Sequence, residues 1–164
     1  MTQQDGVDLL ALYDTALPQV YGYLLARCGD RAVAEDLASE TFLAAVSAPG
    51  PLSTGWLIGT ARHKLVDHWR RLAREQRGLQ LVDEAAGNEA EDPWDARLDV
   101  LAAREVLSRL GPHHRAALVL RHLDGLPVPE VARHLDRTLH ATEALLSRAR
   151  AAFRREYERG CSDA

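Results

Sequence analysis

VARHLDRTLHATEALLSRAR, residues 131–150, predicts two helices joined by a tight turn. Apolar residues recur at helical spacing on both sides of Asp136-Arg137, and the following Thr138 is a residue type that caps helix N-termini. Two such helices form a helix-turn-helix, whose first helix braces the DNA backbone while the second enters the major groove. The motif alone decides little, because helix pairs with tight turns occur in many folds.

The second helix has an apolar face and an opposite ridge of small residues. Projection at about 100° per residue places the apolar face inward: Thr142, Leu145, Leu146, Ala149 and Phe153. The opposite ridge contains His140, Ala144, Ser147 and Ala151; Arg148 and Arg155 flank it on one side, and Glu143, Arg150 and Arg154 on the other. Small residues let a helix approach the groove floor and touch base edges, which leaves the flanking arginines for phosphates.

Glu143 lies where a DNA-binding helix is expected to carry a cation. Its carboxylate can accept a hydrogen bond from cytosine N4, which would discriminate between bases. It can instead stabilise the positive N-terminal end of its own helix, an effect that weakens toward the second turn. Both interpretations remain open from the sequence, and the second is favoured.

The charge of the chain is segregated along its 164 residues. The net charge of -4 argues against a nucleic-acid partner at first. However, residues 62–77 carry six basic and two acidic side chains, and residues 100–164 carry eleven basic and eight acidic side chains. The other two segments are acidic. Residues 1–61 carry seven acidic and two basic side chains, and residues 78–99 carry seven acidic side chains and one basic side chain. The pattern predicts two separate sites where a polyanion can dock.

Several classes of protein are disfavoured by the sequence. No apolar run approaches the roughly 18 residues of a membrane span, and no secretory leader is recognised, so a cytoplasmic protein is expected. Cys28 and Cys161 are far apart, and His113, His114 and His122 lack the spacing of a metal site. Because nothing arranges a nucleophile, a base and an acid together, we expect no enzymatic activity, no catalytic residue, no metal and no cofactor.

Helical periodicity runs through nearly the whole chain, which predicts an all-α fold of two small domains. The predicted first domain spans residues 1–77, with a helix that ends near Gly29, a second helix capped by Asp30, a loop at 47–55 and a third helix from Trp56 to about Arg77. On the second helix we expect Val33, Leu37, Phe42, Leu43 and Val46 to point inward and Glu35, Asp36 and Glu40 to point outward.

Residues 78–99 lose this periodicity and gain acidic charge, which predicts a flexible linker. The predicted second domain spans residues 100–159. Its helices are expected at 100–110, 113–123, 129–135 and from 139 to about Tyr157, with Pro129 at the first position of the third.

Two separated segments resemble one family of proteins. GDRAVAEDLASETFLAAV, residues 29–46, and WLIGTARHKLVDHWRR, residues 56–71, resemble region 2 of bacterial sigma-70 factors, specifically the extracytoplasmic function (ECF) group. LGPHHRAALVLRHLDGLPVPEVARHL, residues 110–135, resembles their region 4. The resemblance implies a region 2 helical bundle and a region 4 helix-turn-helix that bind core RNA polymerase, recognise the minus-10 and minus-35 promoter elements, and help melt the former.

The resemblance also implies roles for residues of the first domain. The surface for core polymerase would contain Glu35, Asp36, Leu37, Glu40 and Phe42. The minus-10 strand would meet Trp56, Arg62, His63, Lys64, Asp67, Arg70 and Arg71, with the 47–55 loop forming a base pocket and Asp67 orienting a neighbouring arginine. Trp56 and Trp69 could stack on bases, but packing in the core is favoured for both.

In the second domain, the family's minus-35 contacts match Arg121, His140, Glu143, Ala144, Ser147 and Arg148. Family members commonly have Gly-Thr-Val-Lys-Ser-Arg where this chain has residues 140–145, so a typical minus-35 sequence cannot be assumed. Ser39 and His63 stand where Gln and Asn are usual.

The expected partners are core RNA polymerase and promoter DNA, and the resemblance also permits an anti-sigma factor that clamps both domains. Two alternatives remain open from the sequence. The chain could be a stand-alone helix-turn-helix regulator, with residues 1–77 as a dimerisation or sensing domain. It could also be a helical interaction protein that has lost DNA binding, for which Glu143 and Leu145 are the best support.

Overall fold

A computed structural model describes residues 3–49, 51–77 and 100–163. Every element within these residues is helical, which confirms the all-α prediction. The chain divides into two compact units, Met1–Asp67 and His68–Ala164. The division falls inside the third helix, ahead of residue 77. The predicted linker at 78–99 lies outside the described residues, and the predicted domain bounds stay a prediction.

The first two helices, α1 (Gln3–Cys28) and α2 (Arg31–Ser47), form a helical hairpin. Gly29 ends α1 with a positive φ of 68°, a conformation that glycine adopts without steric penalty. Asp30 then caps α2, because its side chain accepts a hydrogen bond of 3.1 Å from the Val33 amide. The helices pack through an edge-on contact between Tyr13 and Phe42, whose ring centroids are 4.8 Å apart. The predicted stop and cap are both confirmed.

The buried face of α2 differs from the predicted one. Its buried residues are Ala34, Leu37, Ala38, Thr41, Phe42 and Ala45. Leu43 and Val46, which we expected to point inward, are 68% and 49% exposed, so that expectation was wrong. The reason is that three small alanines complete the buried stripe, which turns the helix so that two larger apolar residues face solvent.

The third helix, α3 (Thr54–Arg77), begins two residues earlier than expected, so the loop before it is shorter than 47–55. The Ser53 hydroxyl accepts a hydrogen bond of 3.1 Å from the Trp56 amide and satisfies a donor of the first turn. The buried residues of α3 are Leu57, Ala61, Leu65, Val66, Trp69 and Ala73. Trp69 is 1% exposed, which confirms the core packing favoured for it, whereas Trp56 is 37% exposed, so core packing was wrong for Trp56.

The second unit also contains α4 (Val100–Arg109), α5 (Pro112–Leu118), α6 (Val128–Leu135) and α7 (Leu139–Ser162). Residues Val119–Leu123 continue α5 as a π-helical turn, here called the π segment. The predicted single helix at 113–123 therefore changes type midway. The third predicted helix begins one residue before Pro129, and the last continues five residues beyond Tyr157.

The turn between α6 and α7 is the one predicted from the sequence. Asp136 is left-handed, with φ of 52°, and the Arg137 amide donates to the Ala132 carbonyl at 3.0 Å, which is the bonding of a Schellman motif. Thr138 caps α7 by accepting a hydrogen bond of 3.1 Å from the Ala141 amide, which confirms the predicted cap.

The core of the second unit forms where α4 and α5 meet α7. Its buried cluster comprises Val106, Leu110, Leu118, Ala149 and Phe153. The Arg115 guanidinium closes the end of α4, with Nε donating to the Leu107 carbonyl at 2.8 Å and Nη2 to the Ser108 carbonyl. Carbonyls that the helix leaves without partners are thereby satisfied, and α4 is fixed to α5.

We predict that Phe153→Ala lowers the free energy of unfolding of the second unit by about 3–5 kcal/mol, because the ring lies in this cluster and its loss leaves a cavity. Chemical denaturation followed by circular dichroism measures the change, and hydrogen exchange of α7 amides assigns it to this unit. Leu101→Ala is the control, since that side chain is 73% exposed and its loss should change stability by less than about 0.5 kcal/mol. Equal effects of the two variants would contradict the described core.

Candidate nucleic-acid and polymerase interfaces

The face of α7 opposite the core is the first candidate site. All five residues predicted to point inward are buried: Thr142, Leu145, Leu146, Ala149 and Phe153. On the opposite side, His140, Glu143 and Ala144 are exposed and Ser147 and Arg148 are half-buried. The predicted ridge of small residues therefore lies opposite the core, exposed at His140 and Ala144 and half-buried at Ser147 and Ala151, and we call these four residues the recognition ridge.

The recognition ridge is held in place by α6. Val131, Ala132 and Leu135 of α6 are buried, and α6 packs on α7. The Schellman turn and the Thr138 cap fix the point at which α7 begins. These local interactions fix the direction in which α7 leaves α6, and a helix that enters the major groove needs such a fixed direction.

Arg121, predicted to contact the minus-35 element, has a structural role in this unit. Its Nη1 donates to the Leu126 carbonyl at 3.2 Å, and its Nε is buried with no hydrogen-bond partner. The guanidinium thus braces the loop that leads from the π segment into α6. Its contact with DNA stays a prediction.

A cationic cluster lies beside the recognition ridge. The half-buried His114 of α5 has a pKa below its usual value, first because of burial and then because of the nearby cations Arg148, Arg155 and Arg137. These cations come from α7 and from the turn before it, so positive potential is concentrated on this flank of the ridge. His114 was not singled out as a site residue from the sequence, because only the packing of α5 on α7 reveals its surroundings.

The second candidate site is the polar side of α3. Projection of the helix at about 100° per residue places His63, Asp67, Arg70 and Arg74 opposite the buried stripe, with Trp56 at the head of the same row and Lys64 and Arg71 beside it. We call these residues the α3 row. Arg62 differs from the other predicted minus-10 residues in its direction, since it projects beside the buried Val66 and Trp69. The partial exposure of Trp56 leaves its ring available for stacking.

The third candidate site is the outer face of α2. Glu35, Asp36 and Glu40 are exposed as predicted, but Leu37 and Phe42 are only 3% and 8% exposed and belong to the core. Leu43 and Val46 instead project between the carboxylates, and we call Glu35, Asp36, Glu40, Leu43 and Val46 the α2 face. A helical projection that takes Ala34, Ala38 and Ala45 as the buried stripe places Leu43 and Val46 on the outer side of α2. The exposure of these two residues could therefore have been predicted from the sequence.

Neither a metal centre nor a membrane span is found in the described residues. Within residues 3–49, 51–77 and 100–163, no group of three or more His, Cys, Asp or Glu side chains could hold a metal ion. Across the same part of the chain, no helix combines the length and apolar character that a bilayer crossing requires.

Comparison with known proteins adds independent information to this geometry. The family model for sigma-70 region 2 matches residues 12–75, and the model for sigma-70 region 4 matches residues 101–153. The ECF RNA polymerase sigma factor SigL of Mycobacterium tuberculosis is 31% identical over 133 residues, which cover 76% of this chain and 75% of SigL. The chain belongs to the ECF sigma factors of the sigma-70 family.

Further relatives of this ECF sigma factor support the assignment. BldN of Streptomyces coelicolor is 35% identical over 150 residues, or 84% of this chain, although the match spans only 56% of BldN. SigM of Bacillus subtilis is 28% identical, with 93% of this chain and 96% of SigM covered. The sigma factor RpoE of Bartonella quintana, solved with the anti-sigma factor NepR, shares the fold with a TM-score of 0.53 at 19% identity, over 89% of this chain and 94% of RpoE.

The resemblance stated from the sequence is thus confirmed, and the sigma-factor interpretation is supported over the stand-alone regulator and the interaction protein. The two family models cover the α3 row, the α2 face and the residues of α7 that carry the recognition ridge. The roles of individual residues in these three sites stay predictions.

The lowered pKa of His114 predicts that the second unit is less stable in acid. In the folded unit His114 resists protonation, whereas in the unfolded chain it protonates near its ordinary pKa of 6.5. The unfolded state therefore binds more protons as the pH falls through this value, and the free energy of unfolding should fall with it.

Denaturation of the wild type and of His114→Gln, measured from about one pH unit below the ordinary histidine pKa to about one unit above it, tests this expectation. The variant should show a weaker loss of stability in acid, because its side chain does not titrate. His140→Gln, which replaces an exposed histidine of α7, is the control for removing a histidine from the same unit. A profile that is unchanged in His114→Gln would contradict the expectation.

Proposed function

We propose that this chain is a non-enzymatic specificity subunit of RNA polymerase, which recruits the core enzyme to promoters and helps to open them. The observation that carries the proposal is the recognition ridge, which lies on the side of α7 opposite the core and is flanked by arginines within the segment that matches sigma-70 region 4. A polymerase subunit of this kind would act in the cytoplasm, on chromosomal DNA.

The recognition ridge would read the minus-35 element. Ala144 and Ser147 are small enough to let α7 lie deep in the major groove, and His140 lies in the first turn, where base edges come within reach. Arg148 would bind a phosphate at one edge of the groove, as part of the cationic cluster around His114. These contacts combine sequence-dependent and sequence-independent binding in one helix.

Glu143 bears on which minus-35 sequence this chain would prefer. It is exposed on the flank of the recognition ridge, in the second turn of α7, where the helix-dipole stabilisation has already weakened. Its exposure supports the base-reading interpretation, in which the carboxylate accepts a hydrogen bond from cytosine N4. The family's typical lysine at this position would instead favour a phosphate or a guanine, so this chain is expected to prefer a different minus-35 sequence.

The α3 row would hold the single strand of the minus-10 element. Separating the strands removes base stacking, which an aromatic side chain and a row of cations can partly replace. Trp56 provides the aromatic surface at one end of the row, and Arg70, Arg71 and Lys64 provide cations for the phosphates. We place Arg62 outside this contact set, because it projects toward the buried side of α3.

The α2 face would bind core polymerase. Its exposed carboxylates would favour a basic partner surface, and the exposed Leu43 and Val46 would bury apolar area on binding. Leu37 and Phe42 would act indirectly, by holding α2 against α1 from within the core. An anti-sigma factor is a further partner consistent with this proposal, since RpoE of Bartonella quintana was solved in complex with one.

Reconstituted transcription with core polymerase tests the proposal. We expect Arg70→Glu combined with Arg71→Glu to reduce strand opening, and Arg148→Glu to reduce promoter binding, because each places a carboxylate against phosphate. Permanganate reactivity of unpaired thymines measures opening, and run-off transcripts measure initiation. Arg159→Glu is the control, since Arg159 is exposed near the end of α7 and already pairs with Glu156 at 3.1 Å. Wild-type opening and transcription in both site variants would refute the proposed function.

Binding to core polymerase has its own test in the α2 face. We predict that Leu43→Asp weakens core affinity by about tenfold or more, because it removes an apolar contact from the centre of the proposed interface. Fluorescence anisotropy of the labelled chain titrated with core enzyme measures the affinity. Leu101→Asp introduces the same change at a similarly exposed leucine of α4 and should bind like the wild type. An unaffected Leu43→Asp variant would remove Leu43 from the interface.

A further inference from the structure

One side-chain hydrogen bond connects the π segment to α7. The Nε of Arg150 donates to Nε2 of His122 at 3.4 Å, across 28 residues of sequence. An arginine side chain has donors only, so the histidine accepts, and the bond requires the neutral tautomer that carries its proton on Nδ1. Both side chains are half-buried.

The π segment determines where His122 lies. Its wide turn is closed by a hydrogen bond of 2.9 Å from the Asp124 amide to the Val119 carbonyl, and the Leu126 amide donates to the Leu120 carbonyl at 3.0 Å. A π turn contains an extra residue, so it directs the following side chains differently from an α-helix. Two consecutive side chains thus bind different parts of the motif: Arg121 donates a hydrogen bond to the loop before α6, and His122 accepts one from α7.

Arg150 lies on the flank of the recognition ridge, on the same side of α7 as Glu143 and Arg154. In a helix that enters the major groove, this flank faces the sugar-phosphate backbone. The bond to His122 engages the Nε–H of the guanidinium and not its two terminal nitrogens. Pairing of the terminal nitrogens with a phosphate is chemically compatible with that bond.

We propose that His122 is a positioning residue for DNA binding: its Nε2 holds the Arg150 guanidinium beside the recognition ridge, oriented toward a backbone phosphate of the promoter duplex. The inference rests on the proposed function, since it needs α7 to lie in a groove. Arginine has high rotamer entropy, part of which is lost when it binds phosphate. Orienting the side chain before binding removes some of that loss and tightens the complex.

The test uses holoenzyme assembled from core polymerase and the full chain, on a promoter duplex identified by mapping transcript starts. We expect His122→Leu to weaken promoter affinity about 3- to 10-fold, the effect of releasing one rotamer-rich side chain. His122→Gln retains an acceptor oxygen and should bind within about twofold of the wild type. Circular dichroism checks folding, and His122→Ala replaces the leucine variant if the larger apolar side chain disturbs the unit.

Salt dependence separates positioning from direct contact. Arg150→Ala should reduce the slope of log affinity against log salt by about one, because one phosphate contact is lost. His122→Leu keeps the cation and should keep the wild-type slope at a lower affinity. The double variant should bind no more weakly than Arg150→Ala alone, since the histidine acts through the arginine. Arg159→Ala, on the same helix and paired with Glu156, is the control and should change neither affinity nor slope.

Three results would overturn the inference: wild-type affinity in His122→Leu, a glutamine variant as weak as the leucine variant, or additive losses in the double variant. Each is distinguishable from failure of the proposed function, in which wild-type protein itself would give no polymerase-dependent promoter complex. A wild type that initiates normally, together with any of these three results, overturns the role of His122 alone.

Discussion

The packing of one side of α7 against α4, α5 and α6 is the interaction on which the second unit depends. Ala149 and Phe153 complete the core, and the residues on the opposite side of α7 form the recognition ridge. The helix that would read DNA is therefore also the central element of the hydrophobic core. A helix held in this way has little freedom to rotate, so the side chains it presents are fixed by packing before any ligand binds.

Segregation of charge lets an acidic chain carry surfaces for polyanions. The net charge is -4, yet the α3 row and the flanks of the recognition ridge are rich in arginine, while the α2 face carries three carboxylates and no basic residue. Opposite charges on distinct helices suit partners of different kinds, one a nucleic acid and the other a protein. Whole-chain charge says little about such a molecule, because the local distribution determines which partner approaches which face.

Local signals in the sequence predicted the helices, both N-caps, the Asp136 turn and the inward face of α7, because each depends on neighbouring residues. The exposure of Leu43 and Val46 was mispredicted, since apolar character alone does not show which stripe fits against α1. The surroundings of His114 and the bond between His122 and Arg150 depend on tertiary packing between segments far apart in sequence. Nothing in the periodicity distinguishes the π segment from the helix it continues, because the two differ in hydrogen-bond register and not in residue pattern.

The π segment constrains the length of the chain more tightly than its composition. A π turn accommodates one extra residue inside a helix, so deleting a single residue there would restore α-helical winding with the segments on either side nearly in phase. Arg121 and His122 could then no longer both keep their present directions, and at least one of their two contacts, to the Leu126 carbonyl or to Arg150, would be lost. The extra residue of the π segment is what lets two consecutive side chains serve two different elements.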